Sequence, residues 1–316
     1  MRIYLTGADG MLGTALIAAL AADECTAHWP VHGVSIMDFD IADADSVRRS
    51  TDDFAPDVVI HTAAHTIVDA CEADPKLALR VNIEGTRNIV RACLQHEAKL
   101  VYISSDYVFD GSMPPIGGYR EVDMPNPLSV YGLTKLAGER IVAILPDHLT
   151  VRTSWLFGGQ DERTDNVLAL VLRAFRGERS GLIHDQFSCP TYTDDVARAI
   201  VHLLTRPGPL PPTVHVVNSG TASWHQVGEV VVDALRTLVP DGTALLPPKA
   251  ITMAGCGFLG GRPKNSSLNT ELLAGLGFVL PHWADAVRAF CAKLVRTDPS
   301  PASVPPRNRR PERMRR

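Results

Sequence analysis

Short runs of β-branched and aliphatic residues alternate with longer amphipathic stretches through the first half of the chain. The runs predict five strands, at Ile3–Leu5, Val31–Val34, Val58–Ile60, Leu100–Ile103 and Leu149–Val151. The stretches between them predict helices at Met11–Ala22, Ala44–Asp52, Pro75–His96 and Ser129–Leu145. Strands joined by helices of crossover length are typical of a parallel sheet that is covered on both faces and wound right-handedly. The pattern therefore predicts an α/β fold of the doubly wound, Rossmann type.

Three glycines follow the first predicted strand with the spacing G-x-x-G-x-x-G. Gly7 permits a tight turn, Gly10 lets the backbone approach a pyrophosphate, and Gly13 lets helix and strand pack closely. Because the helix N-terminus that follows favours negative charge, this turn predicts dinucleotide binding. The second strand is followed by Ser35 to Asp38, with no acid at the usual position for the 2′-hydroxyl of NAD and no arginine for the 2′-phosphate of NADP. The sequence slightly favours NADPH and leaves NADH open.

Proline and glycine become denser from about residue 158. Helices are predicted there at Asn166–Arg176 and Thr193–Leu204, with intervening loops. We interpret residues 1–157 as the NAD(P)-binding domain, to which later segments return, and residues 158–298 mainly as a smaller substrate-binding lobe. Residues 299–316 combine prolines with six arginines, which predicts a disordered basic tail.

Two segments carry residues suited to carbonyl reduction. Ser105 ends the fourth predicted strand, and Tyr131 and Lys135 lie four residues apart at the start of a predicted helix, so they share one helix face. A phenol has an ordinary pKa of about 10. We expect the ammonium of Lys135 to lower the pKa of Tyr131 towards the range useful for proton transfer, and Lys135 can also hold the nicotinamide ribose. Ser105 can donate to the same carbonyl oxygen.

Composition limits the partners of the chain. The formal net charge is −4 although the last ten residues are strongly basic, so the remainder is acidic, which argues against nucleic acid. No apolar run approaches the roughly 18 residues that span a bilayer, and the N-terminus lacks the features of a secretory signal. Six scattered cysteines without a C-x-x-C pair fit reduced thiols rather than disulfides or a zinc site. We expect a cytoplasmic protein with a small-molecule partner and no membrane association.

Several distinctive blocks lie within about residues 1–290. They are Asp106–Gly111, Asn126–Gly132, Lys135–Glu139, Arg152–Trp155, Asp185–Phe187 with Pro190–Thr191, and Arg262–Pro263 with Asn265–Ser266 and Leu268–Thr270. Together they resemble the dTDP-4-dehydrorhamnose reductase family of the extended short-chain dehydrogenase/reductase superfamily. The resemblance implies NAD(P)H-dependent reduction of the 4-keto group of a dTDP-4-keto-6-deoxysugar, by a monomer or homodimer, in the biosynthesis of deoxysugars or natural-product sugars.

The resemblance also implies roles for individual residues. Catalysis would fall to Ser105, Tyr131 and Lys135. Further cofactor contacts would come from Gly10, Met11, Leu12, Asp40, Ile41, Ala63, Ala64, His65 and Ile103. Sugar-nucleotide contacts would come from Val68, Ser105, Asp106, Tyr131 and Trp155. Arg262 and Lys264 are our candidate cations for the diphosphate of the substrate. Some family members bind a bridging metal through a glutamate where this chain has Ala15, so we expect no metal.

Related functions share part of this pattern. Dehydratases of the superfamily have an Asp-Glu pair after the strand-end hydroxyl, whereas this chain reads Ser105-Asp106-Tyr107, so dehydration is disfavoured. A sugar-nucleotide epimerase remains an alternative, as does a non-catalytic subunit that only binds dinucleotide, although the complete Ser-Tyr-Lys set argues against the latter. The segment Leu246–Gly261 has no match in the family pattern and leaves the sugar open.

Overall fold

A computed structural model describes residues 1–112, 114–159, 167–239 and 245–297. Within these ranges the strands are β1 (Ile3–Thr6), β2 (Val31–Val34), β3 (Val58–His61), β4 (Lys99–Ser105), β5 (His148–Thr153), β6 (Leu156–Phe157), β7 (Gly181–Ile183), β8 (Thr191–Tyr192), β9 (Thr213–His215) and β10 (Lys249–Ile251). Six strands form one sheet in the order β2-β1-β3-β4-β5-β9, and every pairing in it is parallel. This sheet confirms the predicted α/β class.

The helices of the described residues cover both faces of this sheet and build the second lobe. They are α1 (Met11–Ala22), α2 (Ala44–Phe54), α3 (Val68–Ala73), α4 (Pro75–Leu79), α5 (Thr86–His96), α6 (Val130–Val142), α7 (Val167–Phe175), α8 (Thr193–Thr205), α9 (Trp224–Leu238), α10 (Glu271–Gly275) and α11 (Trp283–Thr297). No helix among them combines the length and the apolarity needed to cross a membrane.

The alternation of side chains along β1 divides the main core into two layers. Ile3 and Leu5 pack on one face of the sheet with α1 and α8, whereas Tyr4 packs on the other with α2, α5 and α6. A third apolar cluster fills the second lobe between α7, α9 and α11. The segments after residue 157 therefore contribute to both the central sheet and the second lobe, because β9 is a strand of that sheet and α8 packs on it. The predicted basic tail at 299–316 and the first residue of the helix predicted at 166–176 lie outside the described residues.

Two helix predictions need correction. Pro75–His96 is not one regular helix, because a π-helical segment, Arg80–Gly85, separates α4 from α5. Asn82 in this segment has a non-local role: its side chain accepts from the His65 amide (2.7 Å) and donates to the His65 carbonyl (3.0 Å) and to Thr134 Oγ1 (2.9 Å). Helix α6 begins one residue late, because Ser129 is its N-cap, and it ends at Val142.

A buried ion pair fixes α6 against the sheet. Arg152 on β5 donates Nε and Nη2 to the two carboxylate oxygens of Glu139 on α6, at 2.9 and 2.8 Å. Ser104 on β4 donates to the same carboxylate at 2.5 Å, and both charged side chains are less than a tenth exposed. Each charge depends on its partner, because an unpaired charge in a core is costly to desolvate.

We expect Arg152→Met to lower the free energy of unfolding by about 3–5 kcal/mol, because it leaves the Glu139 carboxylate buried without its cation. Urea unfolding followed by circular dichroism measures the loss. Arg48→Met is the matched control: Arg48 is half exposed and pairs with Asp45 and Asp52 on the surface of α2, so its loss costs at most about 1 kcal/mol. Equal losses in the two variants would contradict a structural role for the buried pair.

Candidate active site

Ser105, Tyr131 and Lys135 meet at the C-terminal edge of the central sheet. Ser105 ends β4, a central strand, and its hydroxyl is close enough to the phenol of Tyr131, in the first turn of α6, to lower the pKa of that phenol. Lys135 follows one turn later on the same helix, with only 4% of its surface exposed. The Nζ atom of Lys135 lies 4.2 Å from the ring centre of Tyr102, a cation–π contact. The three predicted residues thus share one buried site.

The electrostatics of Tyr131 differ from the sequence expectation. Burial raises the pKa of its phenol above the ordinary value, and the nearby Asp106 and Cys71 raise it further, while the hydrogen bond with Ser105 opposes them. The expectation that Lys135 makes this phenol more acidic is wrong for this structure, because burial is the largest influence on the pKa of the phenol and raises it. A phenol with a raised pKa is fully protonated near neutral pH. Tyr131 is therefore ready to donate a proton rather than to accept one.

The pKa of Lys135 is shifted far from its ordinary value. Burial lowers the pKa of its ammonium to about 7, although the Glu139 carboxylate one turn further along α6 acts in the opposite direction. The charge on Lys135 thus changes close to neutral pH. By contrast, burial lowers the pKa of His61 and of His215 to about 3, so both imidazoles are neutral in the same pH range.

Asp106 is surrounded by hydroxyl groups. Ser105 donates to its Oδ1 at 3.0 Å, and Ser188 and Ser266 donate to its Oδ2 at 2.8 and 2.5 Å. Burial raises the pKa of this carboxyl, and the hydrogen bonds partly offset the effect. Ser188 and Ser266 belong to the second lobe, and the chain pattern gave no sign of their role. Both oxygens of Asp106 are thus engaged in holding Ser105 and joining the lobes.

The glycine turn has the shape of a phosphate cradle. Gly7 has a φ of +69°, and a Cβ there would lie 2.8 Å from the amide nitrogen of Ala63. A Cβ on Gly13 would lie 2.2 Å from the carbonyl oxygen of Gly7. Gly10 is the N-cap of α1 and offers no side chain to it, so the positive end of the helix dipole faces the turn. Since β2 and β3 flank β1, the turn lies at the switch point of the sheet, where dinucleotides bind.

The other residues expected near a cofactor surround this turn. Met11 and Leu12 open α1, Ala63, Ala64 and His65 follow β3, and Ile103 lies on β4. Asn82 binds both backbone groups of His65, and burial lowers the pKa of the His65 imidazole. Its Nε2 atom is buried and has no hydrogen-bond partner among the residues that the structure describes. An orphaned polar atom beside the cradle suits a polar ligand.

After β2, where the adenosine of a dinucleotide would bind, the acidic side chains are bound to other groups of the protein. Asp38 accepts from the amide and the hydroxyl of Ser35, at 2.7 and 3.2 Å. Asp40 pairs with Arg80 at 2.5 Å, and Ile41 is buried in the core. No carboxylate among these residues is left to select the 2′-hydroxyl of NAD. The glycine cradle and this end together fit a dinucleotide with or without a 2′-phosphate.

Two pairs of aromatic rings include residues that the sequence predicted to contact the substrate. Tyr107 lies edge-on to Tyr131, with 5.8 Å between ring centres, and Gln186 is close enough to the hydroxyl of Tyr107 to lower its pKa. Trp155 has the left-handed φ of +39° and stacks on Trp224 with ring centres 4.9 Å apart. A non-glycine residue rarely adopts such a φ, and strained residues of this kind cluster at ligand sites. Tyr107, Gln186 and Trp224 were not among the residues expected from the sequence.

Arg262 is not the free cation that the sequence led us to expect. Its Nη1 atom forms an ion pair with Asp69 of α3 at 2.9 Å, and its guanidinium lies over the ring of Phe258. Val68, the first residue of α3, precedes this aspartate, whereas Lys264 is exposed. Within the described residues, no three His, Cys, Asp or Glu side chains are grouped closely enough to hold a metal ion.

A family model described as the RmlD substrate binding domain matches residues 1–296. This chain belongs to the RmlD family. A dTDP-4-dehydrorhamnose reductase from Streptomyces griseus is 34% identical over 313 residues, which are 95% of this chain and 97% of the relative. One from Aggregatibacter actinomycetemcomitans is 32% identical over 296 residues, which are 91% and 97%. The expected family is confirmed.

A solved structure supports the same assignment of this RmlD chain. The dTDP-4-dehydrorhamnose reductase of Bacillus anthracis, determined in complex with NADP, superposes with a TM-score of 0.82 at 30% identity and covers 92% of this chain and 99% of its own. The match extends through the Ser-Tyr-Lys site and the glycine turn. The residues that form these two features thus lie within a shared fold.

The perturbed ammonium of this RmlD chain can be measured directly. In a protein with ¹³C-labelled lysine, we expect the Cε resonance of Lys135 to titrate near pH 7, several units below the model-peptide value of about 10.4. The spectrum of Lys135→Arg assigns the resonance. Glu139→Gln should move the titration to lower pH, because it removes the carboxylate that favours the charged form. A spectrum without any lysine transition between pH 6 and 8 would exclude the perturbed charge.

Proposed function

We propose that this protein reduces the 4-keto group of a dTDP-4-keto-6-deoxysugar, with NADPH as the preferred cofactor and NADH as a possible one. The closeness of the Ser105 hydroxyl to the phenol of Tyr131, on the helix that also carries the buried ammonium of Lys135, carries this proposal. The relatives that are named dTDP-4-dehydrorhamnose reductase, and the one determined with NADP, support the substrate and the cofactor. We further propose that the reaction takes place in the cytoplasm, which fits six free cysteines.

In this mechanism Tyr131 is the general acid. Its phenol donates a proton to the carbonyl oxygen as the carbon is reduced, and the Ser105 hydroxyl donates a second hydrogen bond to the same oxygen. Lys135 then stabilises the phenolate that remains on Tyr131. Asp106 accepts the single hydroxyl proton of Ser105 at 3.0 Å, so Ser105 exchanges this acceptor for the carbonyl oxygen when the sugar binds. A bound reduced nicotinamide supplies the hydride.

The cofactor is held by the turn from Gly7 to Gly13 with the first residues of α1. In our proposal this turn would bind the pyrophosphate, Ala63 to His65 and Ile103 would contact the nicotinamide, and Lys135 would bind its ribose. Because Asp38 Oδ2 already accepts from the amide and the hydroxyl of Ser35, that oxygen is not free to select the 2′-hydroxyl of NADH. Direct competition between the two reduced cofactors would measure the preference.

The sugar nucleotide lies in the cleft between the two lobes. We propose that Val68 and Trp155 contact the substrate, and that Tyr107 forms part of the same wall, because its ring meets the ring of Tyr131. Asp106 acts on the substrate through Ser105. The segment Leu246–Gly261, which departs from the family pattern, leads directly into Arg262, and we propose that it contributes to the choice of sugar.

Tyr131→Phe should lower kcat with a dTDP-4-keto-6-deoxysugar by about 10²–10⁴-fold, because it removes the proton donor. NADPH oxidation measures the rate, and fluorescence titration should give unchanged cofactor binding. Tyr192→Phe is the matched control, since Tyr192 is a buried tyrosine of the second lobe that stacks on Phe157. Full activity in Tyr131→Phe would refute the mechanism. Epimerised substrate without net NADPH oxidation would instead identify an epimerase.

The pH dependence follows from Lys135. We expect kcat/KM for reduction to fall as the pH rises through about 7, because the ammonium that stabilises the phenolate is lost above its pKa. His61 and His215 do not create this limb, because their pKa values are about 3. Steady-state kinetics between pH 5.5 and 9 test it. A rate that is constant across that range would show that the charge of Lys135 is not needed.

A further inference from the structure

One carboxylate oxygen in the cleft receives three donors. The amides of Leu259 and Gly260 each donate to Oδ1 of Asp69 at 3.0 Å, and Nη1 of Arg262 approaches the same atom at 2.9 Å. The donors come from residues 257–262, which we call the strap, and the acceptor comes from α3. Two consecutive amides and a guanidinium that converge on one oxygen form an oxyanion site.

The strap is held rigidly around these donors. A Cβ on Gly260 would lie 2.8 Å from Cγ of Glu72 and 3.0 Å from Nη1 of Arg262, and a Cβ on Gly261 would lie 2.4 Å from the carbonyl oxygen of Leu128. Arg262 is itself fixed, because it donates to the Gly260 carbonyl at 2.9 Å and packs on the ring of Phe258. The donor geometry thus rests on close packing, in addition to Asp69.

Asp69, which occupies this site, is more exposed to solvent than the donor Arg262. The side chain of Asp69 is 37% exposed, whereas that of Arg262 is 10% exposed. Asp69 directly follows Val68, whose Cγ1 lies 3.0 Å from the place of a Cβ on Gly260. Arg262 is also close enough to the phenol of Tyr107 to lower its pKa, and Tyr107 meets Tyr131. The oxyanion site therefore lies close to Tyr107, which contacts the proposed catalytic tyrosine.

We propose that the amides of Leu259 and Gly260 and the guanidinium of Arg262 bind a phosphate oxygen of the substrate diphosphate, and that Asp69 is an internal competitor that this diphosphate replaces. This inference rests on the proposed function, since it takes a nucleoside diphosphate sugar as the substrate. A carboxylate presents the same charged oxygen as a phosphate, which explains why Asp69 can fill the site. A diphosphate brings more charge and more acceptor oxygens than one carboxylate, and so displaces it.

If Asp69 competes with the external anion, weakening Asp69 should raise the affinity for that anion. A site that must first release its own occupant binds an external ligand more weakly than the same site when vacated. Asp69→Asn keeps the size of the side chain and removes its charge, so it weakens the internal occupant without altering the donors. If Asp69 only ties the strap to α3, the same substitution loosens the donors and weakens binding of the external anion. The two roles therefore change affinity in opposite directions.

The test is calorimetric titration of dTDP into the full chain saturated with NADPH, so that the glycine turn is already filled. We expect Asp69→Asn to bind dTDP roughly five- to tenfold more tightly than the unsubstituted protein, and Arg262→Met to bind it roughly tenfold more weakly. Asp69→Ser is a second variant with the same expected direction. Asp285→Asn, an exposed aspartate paired with Arg288 on α11, controls for the change in net charge and should leave the affinity unchanged.

Thymidine, which lacks phosphates, should bind equally to all these proteins. The proposal is overturned if both Asp69 variants bind dTDP equally well or more weakly, or if the gain is the same for thymidine. It is also overturned if the affinity that changes is that for NADPH. Because these measurements need no turnover, they stand apart from the reductase assay: a protein that fails to reduce the sugar can still show the shift in dTDP affinity.

Discussion

The arrangement of the candidate active site depends on one buried ammonium. Lys135 lies inside the fold, where loss of hydration disfavours its charge, and its environment recovers only part of that cost. The face of Tyr102 lies beneath its Nζ atom, and the Glu139 carboxylate acts along the helix. Glu139 in turn is held by Arg152, so the charge of α6 is tied to two strands of the sheet. The position of Tyr131 depends on this arrangement, because the phenol shares the helix with both charges.

Two aspartates join the lobes, and they do so in different ways. Asp106 is fully buried and is satisfied by hydroxyls, including Ser188 and Ser266 of the second lobe, without a cation. Such a contact is fixed, because exposing its partners would leave a carboxyl unsatisfied. Asp69 is partly exposed and meets Arg262 and two amides. The first contact keeps the serine of the site in place, and the second can be exchanged for another anion.

Local pattern was sufficient for the parts of the fold that local chemistry determines. Helix α1 and strand β2 lie where the sequence predicted them, because the glycine turn and the apolar runs are local signals. The π-helical segment around Asn82 could not be foreseen, since its cause is hydrogen bonding to His65 and Thr134, distant in the chain. For the same reason the pattern identified Arg262 as a cation but not its pairing.

In the candidate site, too, the sequence predicted what depends on local spacing and missed what depends on the whole fold. The spacing of Tyr131 and Lys135 put both on one helix face, and the strand end put Ser105 beside them. The direction of the Tyr131 pKa shift was mistaken, because the sequence reveals an ammonium four residues away but not the degree of burial, which dominates here. Burial is a property of the whole fold.

The account is tested most directly by a crystal structure of the chain with NADP⁺ and the reduced sugar nucleotide. We expect the new hydroxyl oxygen at C4 of the sugar to lie within hydrogen-bond distance, about 2.6–3.2 Å, of both the Tyr131 phenol and the Ser105 hydroxyl, with the nicotinamide C4 facing the same carbon. A sugar bound with that oxygen out of reach of Tyr131, or on the far side of the sheet from the glycine turn, would contradict it.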